Sequence, residues 1–94
     1  MGAYETAAAG GRHAGYLENY AGKSTAEIER GIGSIEKQVA QHESWIEDPY
    51  SKIADWDNLD PRQQDALINR KWPGDIQRQR EQSEILRRIL EGRG

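Results

Sequence analysis

The chain has no cysteine and no phenylalanine, and only one valine and one methionine. Without cysteine it has no disulfide staples, no thiolate zinc site and no cysteine nucleophile. Without phenylalanine its core must come from nine Ile, five Leu, one Val, three Trp and four Tyr. Apolar residues make up 35% of the sequence and charged ones 31%, with a mean hydropathy of −0.98. That lies at the wet edge of the globular range. No stretch approaches the roughly 18 apolar residues of a membrane span, so no membrane contact is expected. The opening MGAYETAAAGGRHAG has neither the basic region nor the apolar run of an export signal, so export is expected to depend on other sequence.

At 94 residues the chain fits one domain and no more. A domain of this size buries about 60 to 68% of the surface its unfolded chain exposes, which predicts marginal stability unless a partner adds to it. The formal net charge of −3 and pI near 5.4 argue against binding nucleic acid over the whole surface. The charge is unevenly spread. Residues 1–42 hold four basic and five acidic side chains, 43–65 hold two and seven, and 66–94 hold seven and four. A basic last third beside an acidic middle leaves room for a local anionic partner.

Residues 1–22 contain five Gly and six Ala, one Leu, and no Ile or Val. They show no periodicity and read as an irregular segment, although Tyr4, Arg12, His13, Tyr16 and Tyr20 stud it. The helical domain follows over 23–94. Ser24-Thr25-Ala26-Glu27 reads as a capping box opening a helix over about 25–47. Its stripe is Ile28, Ile32, Ile35, Val39, His42 and Ile46, the seam of a helix packed along its length on another. Gly31 and Gly33 each weaken it by roughly 1 kcal/mol relative to Ala, and Asp48-Pro49 ends it. In the turn-rich connector 48–60, Tyr50, Ile53, Trp56 and Leu59 are expected to fold back over the helices. Asp60-Pro61-Arg62-Gln63 restarts a helix with N-cap, proline at the first position and box-closing Gln. The seam Ile68, Trp72, Ile76, Gln79, Ser83, Leu86, Leu90 carries it to about residue 90, kinked at Pro73. The predicted architecture is all-α: a long antiparallel helical hairpin with a folded connector. Matching the stripes sets Ile28 against Leu90, His42 against Ile76 and Ile46 against Trp72.

Two histidines are available for chemistry. His42 lies on the apolar seam, where a core histidine bonded to Gln79 or Ser83 accounts for it. His13 sits in Gly10-Gly11-Arg12-His13-Ala14-Gly15, an imidazole beside a guanidinium on a backbone open to close approach. Imidazole suits proton transfer near neutrality, and the guanidinium fork matches phosphate oxygens; an incidental tail is the plainer account. Asp55-Trp56-Asp57-Asn58-Leu59-Asp60 has oxygen ligands at alternate positions but lacks the central Gly and terminal Glu of a calcium loop, so turn and cap chemistry explains it. The basic face Arg70, Lys71, Arg78, Arg80, Arg87, Arg88 is interleaved with carboxylates and reads as solvated surface. Arg70, Lys71 and Arg78 have the fewest acidic neighbours and are the better phosphate contacts.

Several stretches together resemble a known group: Gly10-Gly11-Arg12-His13-Ala14-Gly15-Tyr16, Lys23-Ser24, Ser34-Ile35-Glu36-Lys37-Gln38-Val39-Ala40-Gln41-His42, Asp48-Pro49, the run from Leu59 to Ile68, and the run from Lys71 to Gln79. Over residues 10–92 the chain resembles the C-terminal toxin domains of bacterial polymorphic toxins, in particular the type 28 group of contact-dependent inhibition and Rhs-like proteins. The resemblance implies a ribonuclease released from a larger secreted effector into the cytoplasm of a neighbouring bacterium and neutralised in the producer by an immunity protein. For related toxins it also implies tRNA as substrate, cut near the 3′ end with the help of elongation factor Tu.

The expected activity is a cofactor-free, metal-independent endoribonuclease acting on RNA and not DNA. His13 would deprotonate the 2′-hydroxyl, Arg12 and Lys23 would meet the phosphorane charge, and His42 or Tyr16 would protonate the leaving oxygen. Arg70, Lys71, Arg78, Tyr20 and Trp72 would contact the RNA. The competing class is a non-catalytic helical interaction module of immunity or adaptor type.

Overall fold

The computed structural model describes residues 2–94. Five α-helices form a rod of 50 × 26 × 17 Å: α1 (Ala3–Ala8), α2 (Ala14–Ala21), α3 (Thr25–Glu47), α4 (Pro61–Ala66) and α5 (Trp72–Arg93). The described residues contain no strand. No described helix is long and apolar enough to cross a membrane.

The hairpin is α3 against α5. Ser24 caps α3 by accepting from the Glu27 amide at 3.1 Å, while the Glu27 carboxylate accepts from the Ser24 hydroxyl rather than from its amide. Asp60 caps α4 with a complete box, its carboxylate taking the Arg62 amide at 2.8 Å and Gln63 Oε1 taking the Asp60 amide. Register agrees with the matched stripes to within one residue: Trp45, next to Ile46, lies on Trp72 with ring centroids 5.8 Å apart, His42 meets Asp75, next to Ile76, and Arg93 donates to Thr25 Oγ1 at 3.1 Å. Ile28, Ile35 and Leu86 form the buried centre, with Ile32, Val39, Ile89 and Leu90 packed around it.

The bend near Pro73 comes from a π-turn at Leu67–Lys71, in which the Trp72 amide reaches back five residues to the Leu67 carbonyl. One extra residue in the turn accommodates a proline that has no amide to donate. The connector folds back as expected at Trp56, which is 6% exposed, stacks on Trp72 at 5.9 Å, and has its carbonyl held by Gln64 Nε2 at 2.7 Å. Tyr50 departs from that expectation. It stays half exposed and donates to the Asp57 carboxylate.

Residues 2–22 are not irregular but carry the two short helices α1 and α2. Alanine gives both short segments high helix propensity, although six and eight residues are too few to hold a helix alone. Tertiary contacts fix them: Ala7 is buried, and Tyr16 and Tyr20 pack on the Ile28–Ile35–Leu86 centre. The turn after α1 is a Schellman motif, with the Gly11 amide on the Thr6 carbonyl at 2.9 Å and the Gly10 amide on that of Ala7 at 3.0 Å. Gly10 takes the left-handed position at φ 89°. This cover explains Ile85, fully buried although off the α3-facing seam. It shares a stripe of α5 with Glu81 and Arg88, which the N-terminal segment binds.

The two glycines of α3 separate. A Cβ on Gly31 would meet Leu86 Cδ1 at 3.1 Å and Tyr20 Cε1 at 3.5 Å, whereas one on Gly33 would meet nothing. Gly33→Ala is expected to stabilise the fold by about 1 kcal/mol through helix propensity. Gly31→Ala is expected to gain nothing or lose stability, because Leu86 must give way. Urea midpoints of the two variants read this directly.

Candidate functional site

Arg12 and His13 are positioned by backbone geometry that their sequence window does not announce. After the Schellman turn, His13 sits at the N-cap of α2 at φ 68°, ψ 15°. This left-handed conformation is strained for a residue with a side chain. It turns the imidazole down onto the middle of α5. There His13 Nε2 lies 2.9 Å from Glu81 Oε1, and Arg12 Nε donates to the same oxygen at 2.8 Å. Gln77 Nε2 approaches the other oxygen at 3.4 Å. The His13 side chain is only 10% exposed and that of Glu81 25%, while Arg12 remains 59% exposed.

Hydrogen bonds from His13 and then Arg12 hold the Glu81 carboxyl down at about 2, well below its ordinary 4.5. At neutral pH Glu81 is therefore a carboxylate that can only accept, so Nε2 of His13 carries the proton and Nδ1 is the nitrogen left to act. A depressed carboxyl pKa contributes stability that is fully present above about pH 4.5 and lost as pH falls toward about 2. Acid titration of the parent should therefore show a loss in that window which Glu81→Gln lacks. The Glu5 carboxyl, lowered by its bond from Arg88, titrates in the same direction in both proteins and cancels in the comparison.

The His13–Glu81 pair opens into a groove of about 970 Å³. Pro73, Ile76, Gln77, Arg80, Glu81 and Glu84 of α5 line it, with Glu43, Ile46 and Glu47 of α3 and Gly2, Ala3, Thr6 and Arg12 of the N-terminal segment. The segment is anchored along α5 at further points: the Ala3 amide donates to Glu84 Oε2 at 2.7 Å and Arg88 to Glu5 Oε1 at 2.9 Å. Four carboxylates against two guanidinium groups make the groove acidic. The pair does not face Arg70, Lys71 or Arg78, the basic residues expected to contact the RNA. Arg80, Arg87 and Arg88 of α5 are paired with carboxylates: Arg80 lies 3.6 Å from Glu43, Arg87 pairs with Glu36 and Arg88 with Glu5.

The other expected site residues are placed elsewhere. Lys23 pairs with Glu27 at 3.9 Å, its ammonium over the Tyr20 ring, and does not join His13. Tyr16 meets His13 edge-on, with ring centroids 6.5 Å apart, but packs into the core beside Tyr20 and is not part of the groove lining. Burial, and then the neighbouring Tyr20 phenol, push the Tyr16 hydroxyl far above its ordinary pKa. His42 also lies outside the groove. Its Nδ1 donates to the Gln38 carbonyl at 2.8 Å and its Nε2 is 3.5 Å from Asp75 Oδ2. The anticipated Gln79 partner is absent from both ring nitrogens, and Gln79 is buried with its Oε1 unpartnered among the described residues. Trp72 is 3% exposed between Trp56 and Trp45, so it is core and has no face to offer a base. Tyr20 packs on the same core as Tyr16. Lys71 and Arg78 do gather, around Asp75 at 3.5 and 3.8 Å, with Arg70 exposed on the π-turn just before.

In the sequence Arg80 reads as solvated surface, and Glu81 and Glu43 carry no signal of a role. No spacing signal links them to His13, since 68 residues separate His13 from Glu81 and only the docking of α1 and α2 brings them together. Among the described residues no three His, Asp or Glu side chains converge as metal ligands. No protein-family model matches the chain, and neither a curated protein nor a solved structure does.

Proposed function

We propose that this chain is an antibacterial ribonuclease domain that cleaves RNA by metal-independent acid–base chemistry centred on His13. The observation that carries the reading is the shared Glu81 oxygen, with an imidazole at 2.9 Å and a guanidinium at 2.8 Å, at the edge of an open groove. A carboxylate that fixes the tautomer and orientation of an imidazole is the arrangement of a general base. His13 Nδ1 takes the proton of a 2′-hydroxyl, the freed oxygen bonds to phosphorus, and the P–O5′ bond breaks. The products are a 2′,3′-cyclic phosphate and a 5′-hydroxyl. Arg12 and Arg80 are the cations able to meet the charge growing on the phosphorane. Because His42 and Tyr16 lie outside the groove, solvent in the open groove protonates the leaving oxygen. Lys23 has no role.

The type 28 resemblance extends the reading to tRNA cleaved near its 3′ end with elongation factor Tu as helper. It also extends it to delivery into a target bacterium as part of a larger effector, and to a cognate immunity protein. The purified domain should cut tRNA in the presence of EDTA and arrest growth when expressed inside bacteria, leaving 5′-hydroxyl ends. Loss of cleavage on chelation, or harmless expression with intact RNA, contradicts it. The second reading, a non-catalytic interaction module, is favoured by one observation: Glu43, Glu47 and Glu84 give the groove the sign that suits a basic protein surface rather than a polyanion.

A further inference from the structure

The acidic groove leaves open where a polyanion is held. Outside that groove a cluster of positive charge lies across α5. At about 3.6 residues per turn, Asp75 sits on the far side of the helix from Glu84. Three groups surround its carboxylate: His42 Nε2 at 3.5 Å, Lys71 Nζ at 3.5 Å and Arg78 Nη2 at 3.8 Å. All three distances exceed the 2.7–2.9 Å of a tight charge-assisted bond. The Lys71 and Arg78 side chains are 64% and 46% exposed, so both can turn outward without uncovering the core. The Trp45 ring extends the cluster: the His42 ring lies against it at 4.5 Å, and the Lys52 ammonium sits over it at 4.6 Å. Two fixed positive charges, Lys71 and Arg78, thus face one carboxylate, with the His42 imidazole beside them and Lys52 beyond the Trp45 ring.

We propose that His42, Lys71 and Arg78, gathered on Asp75 on the flank of α5 away from His13, form a docking site for the phosphodiester backbone of RNA. The occupant rests on the ribonuclease reading; the geometry of the patch does not. Lys71 and Arg78 stand in open surface while the His42 and Asp75 side chains are 13% and 24% exposed, and an open pair of cations does not suit a small anion that must be buried to be held. It does suit an extended polyanion, whose binding is driven by release of condensed counterions to spread positive charge. Asp75 holds the cations together in the free protein and opposes phosphate in the complex. Docking and cleavage are then divided between two flanks of one helix, which lets an acidic groove act on an anionic substrate.

The test is fluorescence anisotropy of the full chain with a labelled 2′-O-methyl RNA oligonucleotide, which the 2′-hydroxyl mechanism leaves uncut. The parent should bind with an affinity that falls as salt rises. Lys71→Ala with Arg78→Ala should raise Kd about tenfold or more and reduce the slope of log K against log salt by about 1.4, the loss of two single-strand phosphate contacts. Asp75→Asn should tighten binding several-fold, which a merely structural Asp75 would not do. Lys23→Ala, which removes a cation belonging to neither flank, should leave Kd within about twofold of the parent. The proposal is overturned if the double variant keeps the parent's Kd and salt slope while its circular dichroism is native, if Asp75→Asn weakens binding, or if polyglutamate competes as well as RNA. A His13→Asn protein that still cleaves defeats the ribonuclease centre and leaves docking standing. A double variant that binds normally defeats docking and leaves the centre standing.

Discussion

On the proposed mechanism, replacing His13 by Asn should slow RNA cleavage by about 10² to 10⁴, the range that loss of a general acid–base group typically costs. Asparagine is the informative substitution because residue 13 occupies the left-handed region at φ 68°. Asn is enriched there, whereas Ala would add backbone strain to the loss of the ring. The side chain is 10% exposed and its partner 25%, so some stability is lost with the Glu81 bond as well. A melting curve and circular dichroism of the variant separate unfolding from loss of chemistry. Glu81→Gln keeps size and removes charge; with the imidazole no longer held in one tautomer, cleavage should fall at least tenfold while RNA binding persists. Lys23→Ala, by contrast, should cleave like the parent, since Lys23 lies with Glu27 and Tyr20 away from the groove.

Leu86→Ala is expected to cost about 2 to 5 kcal/mol. Leu86 is fully buried where α3, α5 and Tyr20 of α2 meet, with its Cδ1 closing on Gly31. A cavity there has little means of collapse, because the glycine has no side chain to move into it. Proteins of this kind are stable by only about 5 to 15 kcal/mol, so the variant should lose a large share of the total and unfold at clearly lower urea. Tyr50→Ala, at a 50% exposed position, should shift the midpoint by no more than about 0.5 kcal/mol. Equal midpoints for the two would contradict the core described above.

The helical hairpin was legible in the sequence because its signals are local. The Ser24 and Asp60 caps, the Asp48-Pro49 stop and the two stripes each need only neighbours along the chain. Matching the stripes also gave the register to within one residue, as Trp45 on Trp72 shows. The N-terminal helices were not legible. Six- and eight-residue segments owe their helicity to tertiary contact, and only Ile85 and Ile89 of α5, an apolar pair beside the seam, hinted at a third layer. Arg12 and His13 stand out by their chemistry, but their partner does not, because the pairing with Glu81 depends on that unread layer. Trp72 was misjudged for a related reason: an aromatic beside Lys71 looks like a stacking platform until Trp56 folds over it from the connector. Net charge by segment also misled. The last third is basic as a whole, yet the face of α5 turned to His13 carries Glu81 and Glu84.

The most direct test of an imidazole-centred cleavage is the chemistry of the ends it makes. The purified parent, incubated briefly with tRNA in excess EDTA, should yield fragments ending in 2′,3′-cyclic phosphate with 5′-hydroxyl partners, and the His13→Asn protein should yield almost none. Fragments with 3′-hydroxyl and 5′-phosphate ends, or equal yields of cyclic ends from both proteins, would contradict it.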